Sequence, residues 1–328
     1  MLRELRITGE RWPLATPFRI SRGVRTESEL VYIELSQDGK TGRGEGAPIA
    51  RYGDTAADCI AQLEALRTDI EAGMSRQALM RALKPGAARN ALDCAMWDLE
   101  ARLQGTTVAR LMGVASPRPN TTAMTVSLGD PQAMGEAAAK LAHLPLVKVK
   151  VNADDPAAQL RAVRAAAPNP VLIVDCNEGW TMGLVREMQP ILLETDVALL
   201  EQPLPASEDE ALRGFMPDVP ICADESCHVA DDIGRLDGLY QAINIKLDKT
   251  GGLTAALDLL AAARERRLTV MTGCMICTSL SIAPTFFIAA RADFADLDGP
   301  TWLARDRDGG VRLDRGQMLP PSGDLWGG

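Results

Sequence analysis

The chain reads as an α/β protein in which a (β/α)8-type barrel follows an N-terminal α+β module, and three observations carry that reading. Short apolar runs recur in the second half at the beat of successive βα units: LVKVK, VLIVDCN, VALLEQP, PICADES and AINIKLD. Their charged ends, Lys150, Asp175, Glu201, Asp224 and Lys246, are 25, 26, 23 and 22 residues apart. The intervening stretches, such as PAAQLRAVRAAA, have helical periodicity. The runs themselves are continuous Val, Ile and Leu, as buried parallel strands require, and each closes on acids or bases where barrels of this type hold their chemistry.

Taken in order, residues 1–15 and ELVYIELSQDGKTGRGEGAP are expected to pair as antiparallel strands, with QDGKTG as a turn. TAADCIAQLEALRTDIEAG, SRQALMRALKPG and AARNALDCAMWDLEARLQG follow as helices, with Asp54 or Thr55 and Ser75 as N-caps and Gly73 as a stop. Together they form a capping module over residues 1–115, within the usual size of a domain. GVASPRPNTT marks the crossing into a barrel over residues 116–308. TAMTVSL is its first strand, the five runs are strands two to six, and RLTVMTGCM and DFADLDG are strands seven and eight. LTAALDLLAAARERR and SIAPTFFIAARA belong to the outer helices, and residues 309–328 leave the barrel pattern to return to the first module.

Composition narrows the function. The 328 residues are 46% hydrophobic and 24% charged, as in a soluble globular enzyme, and the net charge of -9 disfavours nucleic acid or an anionic membrane as partner. No apolar run approaches the roughly 18 residues of a membrane span, and the opening MLRELRITGERW lacks a secretory core segment, so a cytoplasmic protein is expected. Seven cysteines, an odd number, fit reduced thiols better than a disulfide framework. Cys274 and Cys277 form an isolated CxxC, and the two histidines, His143 and His228, have no zinc-ligand spacing to another ligand, so strand-end packing is the expected role of the pair.

Side chains alternate along a strand, which places Lys148 with Lys150, Asp175 with Asn177, Lys246 with Asp248, and Asp296 with Asp298 on common faces. In a ring of eight, strands two and six are opposite, and the acids of strands three, four and five fill the arc between the two lysines. Three clustered carboxylates repel one another without a cation, and an all-oxygen set with open positions suits Mg²⁺. Two lysines facing each other across that ion could move a proton on and off one carbon from opposite faces. A metal-bound carboxylate would stabilise the resulting enediolate.

KVK, DCNEGW, LLEQP, ADES, NIKLDKTGG and DLDGP resemble the strand-end motifs of the enolase superfamily, in its muconate-lactonizing-enzyme-like branch. ARNALDCAMWDLEARLQG resembles the helix that joins cap to barrel, and the likeness runs nearly end to end. Sites of that superfamily use a Lys or His base with Mg²⁺. The resemblance implies a barrel modified as (β/α)7β and a capping domain completed by the C-terminal segment. It implies one Mg²⁺ held by Asp175, Glu201 and Asp224, and acid/base catalysis by Lys150 and Lys246, with Lys148, Asn177 and Asp248 in support.

Within the superfamily the pattern is most similar to the dipeptide epimerases. That likeness implies two-base 1,1-proton transfer interconverting L-Ala-D-Glu and L-Ala-L-Glu, in murein peptide recycling. Asp296 and Asp298 would bind the ammonium of the N-terminal residue, since a dipeptide held by its carboxylate sends its amine across the mouth to strand eight. The alternative for either aspartate is an ion pair with Arg291 or Arg305. The loop FRISRGVRTE is expected to close over the site, with Arg22 or Arg25 on a second substrate carboxylate. Thr125 and Met275 or Cys277 are further substrate contacts. The rivals are an N-acylamino acid racemase, an o-succinylbenzoate synthase or a muconate cycloisomerase, whose substrates lack that amine, and a non-catalytic ligand-binding barrel, which has no need of two bases. Family members often assemble as dimers or octamers, which leaves a homo-oligomer open to this chain.

Overall fold

The computed structural model describes residues 2–20 and 23–328. Three antiparallel strands come first: β1 (Glu4–Ile20), β2 (Gly23–Gln37) and β3 (Lys40–Gly46). Asp38 and Gly39, both at positive φ (50° and 71°), make the tight turn between β2 and β3. Pairing of β1 with β2 runs from Glu4 opposite Ser36 to Ile20 opposite Gly23, with one irregularity between Pro13 and Phe18. The described residues of FRISRGVRTE, expected as a loop, are therefore part of a long hairpin, with Phe18, Arg19 and Ile20 opposite Arg25, Val24 and Gly23. Arg22 lies outside the described residues.

The helices α1 (Ala56–Ala65), α2 (Arg67–Glu71), α3 (Arg76–Ala82), α4 (Ala87–Leu103) and α5 (Val108–Leu111) follow. Of the two caps considered for α1, Thr55 serves, in a reciprocal capping box with Asp58, and Ser75 caps α3. Helix α4 is buried along nearly all its length and lies directly on β3. The reason is a pair of matched small-residue rows. Gly42, Gly44 and Gly46 share one face of β3, and Ala87, Ala91 and Ala95 share one ridge of α4. A Cβ on Gly44 would stand 1.9 Å from the Ala91 carbonyl oxygen, and one on Gly46 2.2 Å from that of Ala87.

A two-residue strand β4 (Asn120–Thr121) leads into eight parallel strands: β5 (Met124–Val126), β6 (Leu146–Lys150), β7 (Val171–Asp175), β8 (Val197–Glu201), β9 (Ile221–Ala223), β10 (Ala242–Ile245), β11 (Thr269–Gly273) and β12 (Phe294–Asp296). They pair in chain order, and the Ala123 amide donating to the Ala295 carbonyl at 2.8 Å links the first to the last. Helices α6 (Pro131–Leu141), α7 (Pro156–Ala166), α8 (Met182–Glu194), α9 (Ile233–Leu236), α11 (Leu253–Glu265) and α12 (Ser279–Ala289) pack outside, while the buried helical turn α10 (Leu247–Thr250) lies against α4. Strand residues facing them, such as Val147, Val149, Leu172 and Val174, join the large outer core. Leu146, Ile173, Leu199, Cys222, Ala242 and Met271 form a separate apolar cluster with Ala123. It plugs the interior at the strands' N-terminal half and leaves their C-terminal ends to polar groups.

The C-terminal segment divides its contacts. A hairpin of β13 (Arg312–Asp314) and β14 (Gln317–Leu319) pairs with β4, not with the first module. The chain then reaches α4, where the Trp326 indole N–H donates to the Cys94 carbonyl at 3.0 Å and the Gly327 amide to Asp98 Oδ1 at 2.8 Å. Between α4 and the barrel, Asp93 accepts from the Thr254 amide and hydroxyl at 2.9 and 2.7 Å, and Arg89 donates to the carbonyls of Thr250 and Gly251. Gly252 has φ 117°, and a Cβ there would press into the Asp93 carboxylate at 2.5 Å. No helix among the described residues is long and apolar enough to cross a membrane.

Candidate active site

Alternation along β6 turns Lys148 and Lys150 inward, one turn of the pleat apart. Lys150 is opposite Asp175, and Asp175 opposite Glu201, so neighbouring strands deliver their charged ends at one level. The Lys148 ammonium, 1% exposed, sits 2.9 Å from Asp175 Oδ2, 2.7 Å from Glu201 Oε2 and 2.8 Å from Asp296 Oδ2. Lys150 Nζ donates to Asp175 Oδ2 at 2.6 Å. Asp224 follows the last residue of β9 and Lys246 the last of β10, and Lys246 Nζ donates to Asp224 Oδ2 at 2.7 Å. Lys249 holds the other oxygen, Asp224 Oδ1, at 2.7 Å. Because β6 and β10 are second and sixth of eight, Lys150 and Lys246 enter one pocket from opposing sides.

Burial and the neighbouring charges compete across the site. Burial pushes the Glu201 carboxyl up to about 7, helped by the charge of Asp175 and opposed by Lys148. Burial alone would raise Asp175 as well, but the ammonium groups of Lys148 and Lys150 override it and hold the acid below its ordinary range. Asp224 is likewise lowered against burial, by Lys246 and Lys249. Burial opposes the charged form of Lys148 and Lys246, yet both are raised, chiefly by Asp175 and Asp224 respectively. Asp298 rises to about 7 through burial and the adjacent charge of Asp296.

Asn177, Thr125, Arg25, Met275, Asp296 and Asp298 all line the pocket. The partner of Asp296 is Lys148 and not Arg291 or Arg305, while Asp298 Oδ2 accepts from the Thr125 amide at 2.9 Å. Asp175 and Glu201 are fully buried against Lys148 and do not reach the lining, and two further expected residues, Asp248 and Cys277, stand apart from the cluster. Asp248 does not share a face with Lys246, because β10 ends at Ile245 and the helical turn α10 begins at Leu247. Its Oδ1 instead accepts from the Ala47 amide at 2.9 Å and Asn90 Nδ2 at 2.7 Å, on the side of the first module. Cys277 is fully buried away from the lining, and Cys274 takes the pocket position because the strand has ended at Gly273.

Sequence reasoning missed other members. Arg51 and Tyr52, on a short 3₁₀ turn after β3, line the pocket. The Arg51 guanidinium forks onto Glu178 at 2.8 and 2.9 Å, and the Tyr52 ring meets His228 edge-on with centroids 4.7 Å apart. Asn244 donates to Glu201 Oε1 at 2.8 Å. Its position two residues before Lys246 on the same strand face was a signal that could have found it. Arg51 had no such signal, since its partner is 127 residues away.

Among the described residues, no three acid, thiol or imidazole groups stand in cation-holding geometry, and lysine ammonium groups lie between the carboxylates. The donor chemistry nevertheless fits a hard divalent ion. The cluster's donors are all oxygen, with six buried carboxyl groups (Asp175, Glu201, Asp224, Glu225, Asp296, Asp298) beside four buried lysines (Lys148, Lys150, Lys246, Lys249), and Glu201 Oε2 and Asp224 Oδ1, though ion-paired, accept no hydrogen bond.

A barrel with acids on three consecutive strand ends and lysines on the two flanking strands defines a class, and comparison with known proteins agrees. Residues 2–113 match the mandelate racemase/muconate lactonizing enzyme N-terminal domain, and residues 133–324 the enolase C-terminal domain-like family. The chain belongs to the enolase superfamily and is an isomerase of the epimerase and racemase kind. It is 45% identical to L-Ala-D/L-Glu epimerase of Escherichia coli K12 over 97% of this chain and 99% of that one. It is 43% identical to N-acetyl-D-glutamate racemase of a Pseudoalteromonas species over 91% and 95%. An enolase family member from Agrobacterium tumefaciens, with homology to dipeptide epimerases and solved with sodium and L-Ala-L-Glu, superposes with a TM-score of 0.96 at 45% identity over 99% and 100%.

Proposed function

We propose that this enzyme interconverts L-Ala-D-Glu and L-Ala-L-Glu by inverting the glutamyl α-carbon, as a step in the reuse of murein peptides. The observation that carries the proposal is the approach of Lys150 and Lys246 to one pocket from opposing strands of the ring. Inversion requires a proton to leave one face and another to arrive at the opposite face. A neutral amine takes the first and an ammonium gives the second, and the two lysines exchange roles for the other epimer.

Asp175, Glu201 and Asp224 are the residues to hold one Mg²⁺. When bound, it supplies positive charge to the carboxylate beside the reacting carbon and so lowers the cost of removing the α-proton. Lys148 offsets the mutual repulsion of Asp175, Glu201 and Asp296, and Asn177 lines the mouth next to them. Asp296 and Asp298 receive the substrate ammonium, with the Thr125 amide fixing Asp298. Arg25 takes the glutamate side-chain carboxylate, and Met275 borders the alanyl side. Two relatives support the substrate: the E. coli protein is an L-Ala-D/L-Glu epimerase, and the Agrobacterium protein was solved with L-Ala-L-Glu. All seven thiols are free, which suits a reducing cytoplasm.

The Pseudoalteromonas relative favours a second reading, racemisation of N-acetylglutamate, which has the same glutamyl end but no ammonium. Proton NMR in heavy water with Mg²⁺ tests both. Loss of one α-hydrogen signal from the glutamyl residue of L-Ala-L-Glu is expected, and a panel of dipeptides and N-acyl amino acids without exchange would refute the proposal. Lys150→Ala and Lys246→Ala should each reduce epimerisation by about 10²–10⁴-fold or more.

A further inference from the structure

Gln202 follows Glu201 directly, is fully buried, and has a left-handed backbone (φ 34°) that a non-glycine residue adopts only when its surroundings impose it. Its hydrogen bonds show what imposes it. The Gln202 amide donates to the Cys222 carbonyl at 2.9 Å, and its carbonyl accepts from the Glu178 amide at 2.8 Å. The side-chain Oε1 accepts from the Asp224 amide at 2.8 Å and the Ser226 amide at 3.2 Å. One residue thus joins the ends of β7, β8 and β9, the strands that present Asp175, Glu201 and Asp224.

The orientation of the amide is determined by what lies behind it. Nε2 faces the Leu204 carbonyl at 2.9 Å, the Ser226 hydroxyl at 2.8 Å and the Tyr240 hydroxyl at 3.0 Å. Both hydroxyls spend their own protons on Asp209 Oδ1, at 2.8 and 2.6 Å, and so present lone pairs to Gln202. Arg235 closes the chain on Asp209 Oδ2 at 2.9 Å. Gln202, Ser226, Tyr240 and Asp209 are buried and absent from the pocket lining, Arg235 alone reaches solvent, and the proposed chemistry leaves the network unused.

We infer that Gln202 is a positioning residue that sets the separation of Glu201 and Asp224, and thereby the affinity of the site for a divalent cation. The inference rests on the reading of Asp175, Glu201 and Asp224 as the cation's ligands. Rotation of Gln202 would turn the Glu201 carboxylate, its immediate neighbour, and release the amide of Asp224, so the two acids would lose their common reference. Groups that orient ligands in this way typically change metal affinity by about 10–100-fold when removed.

The test is titration calorimetry of Mg²⁺ into the substrate-free protein, alongside thermal melts and kinetics with L-Ala-L-Glu. Gln202→Met should bind Mg²⁺ about 10–100-fold more weakly. Its turnover should recover at saturating Mg²⁺ and its KM for the dipeptide should stay near wild type. Tyr240→Phe keeps the ring and removes one of the three groups that hold Nε2. It should weaken Mg²⁺ by a smaller factor, about 3–10-fold, and it decides the matter if Gln202→Met folds poorly. A merely structural role would lower the melting temperature and leave the affinity of the folded fraction unchanged, so wild-type Mg²⁺ affinity in the folded variants overturns the inference alone. A wild-type protein that binds no Mg²⁺ overturns the reading of the acids, and this inference with it.

Discussion

Asp298 is the residue on which the two substrate readings part. Its carboxylate is buried, raised to about 7 by burial and by Asp296, and held by the Thr125 amide, so a bound ammonium would restore its charged form at neutral pH. Asp298→Asn should therefore cost L-Ala-L-Glu turnover about 1.5–3 kcal/mol in kcat/KM, the worth of a hydrogen bond to a charged group, and leave any N-acetylglutamate turnover nearly unchanged. Equal losses on both substrates would place the residue in the fold and not in recognition. The DLDGP stretch made this aspartate legible before any coordinates. Lys148, Lys150, Asp175, Glu201, Asp224 and Lys246 were legible for the same reason, since each closes an apolar run. Asp248 misled because alternation holds only while the strand lasts, and nothing local marks the change to a helical turn at Leu247. Gln202, Lys249 and Arg51 escaped because their meaning lies in partners more than twenty residues away.

At the level of elements, β3 and α4 are joined by the absence of side chains. Gly42, Gly44 and Gly46 read locally as part of a turn-rich hairpin, and only the helix lying on them explains the alternation. Gly44→Val should destabilise the protein by about 3 kcal/mol or more, at or beyond the upper range for overpacking, because the obstacle is the Ala91 backbone and not a side chain that can swing aside. A denaturant midpoint within error of wild type would refute this. The contact of the 3₁₀ turn with the barrel is of a different kind. Arg51 is 45% exposed at its side chain and Glu178 only 7%, and Glu178 also accepts from the Ala206 amide at 2.9 Å. Glu178→Gln keeps the shape of the side chain but removes the charge that Arg51 pairs with, and should raise KM for the dipeptide through a looser pocket wall. The beat of the barrel was legible because each buried strand writes its own apolar run. The hairpin reaching Ile20 was not, since FRISRGVRTE has no such run and Phe18, Arg19 and Ile20 find their partners only across the hairpin, in Arg25, Val24 and Gly23.

For the molecule as a whole, the seam between the first module and the barrel carries a pH dependence. Asp93, on α4, is raised to about 6 by burial against the opposing bonds of Thr254, and Asp248 to about 7 by burial against those of Ala47 and Asn90. Both folded values lie above the ordinary carboxyl range, so between about pH 4 and 7 the folded chain holds more protons than the unfolded one. Their contribution to stability therefore falls as pH rises through that window and levels off above it. In Asp93→Asn/Asp248→Asn the difference in unfolding free energy between pH 5 and 7 should change by about 3 kcal/mol in the direction of a flatter profile. An unaltered profile by urea titration would show that these acids do not govern the seam. The same seam also orders events during synthesis. Helix α4 receives Trp326 and Gly327 on Cys94 and Asp98, and Glu45 of β3 waits for Arg307. A nascent chain that has released its entire first module from the ribosome still lacks these partners until nearly all of the barrel has been translated. The first part made is thus among the last to reach its native contacts, and a chaperone or protease meeting the growing chain encounters α4 with one flank bare.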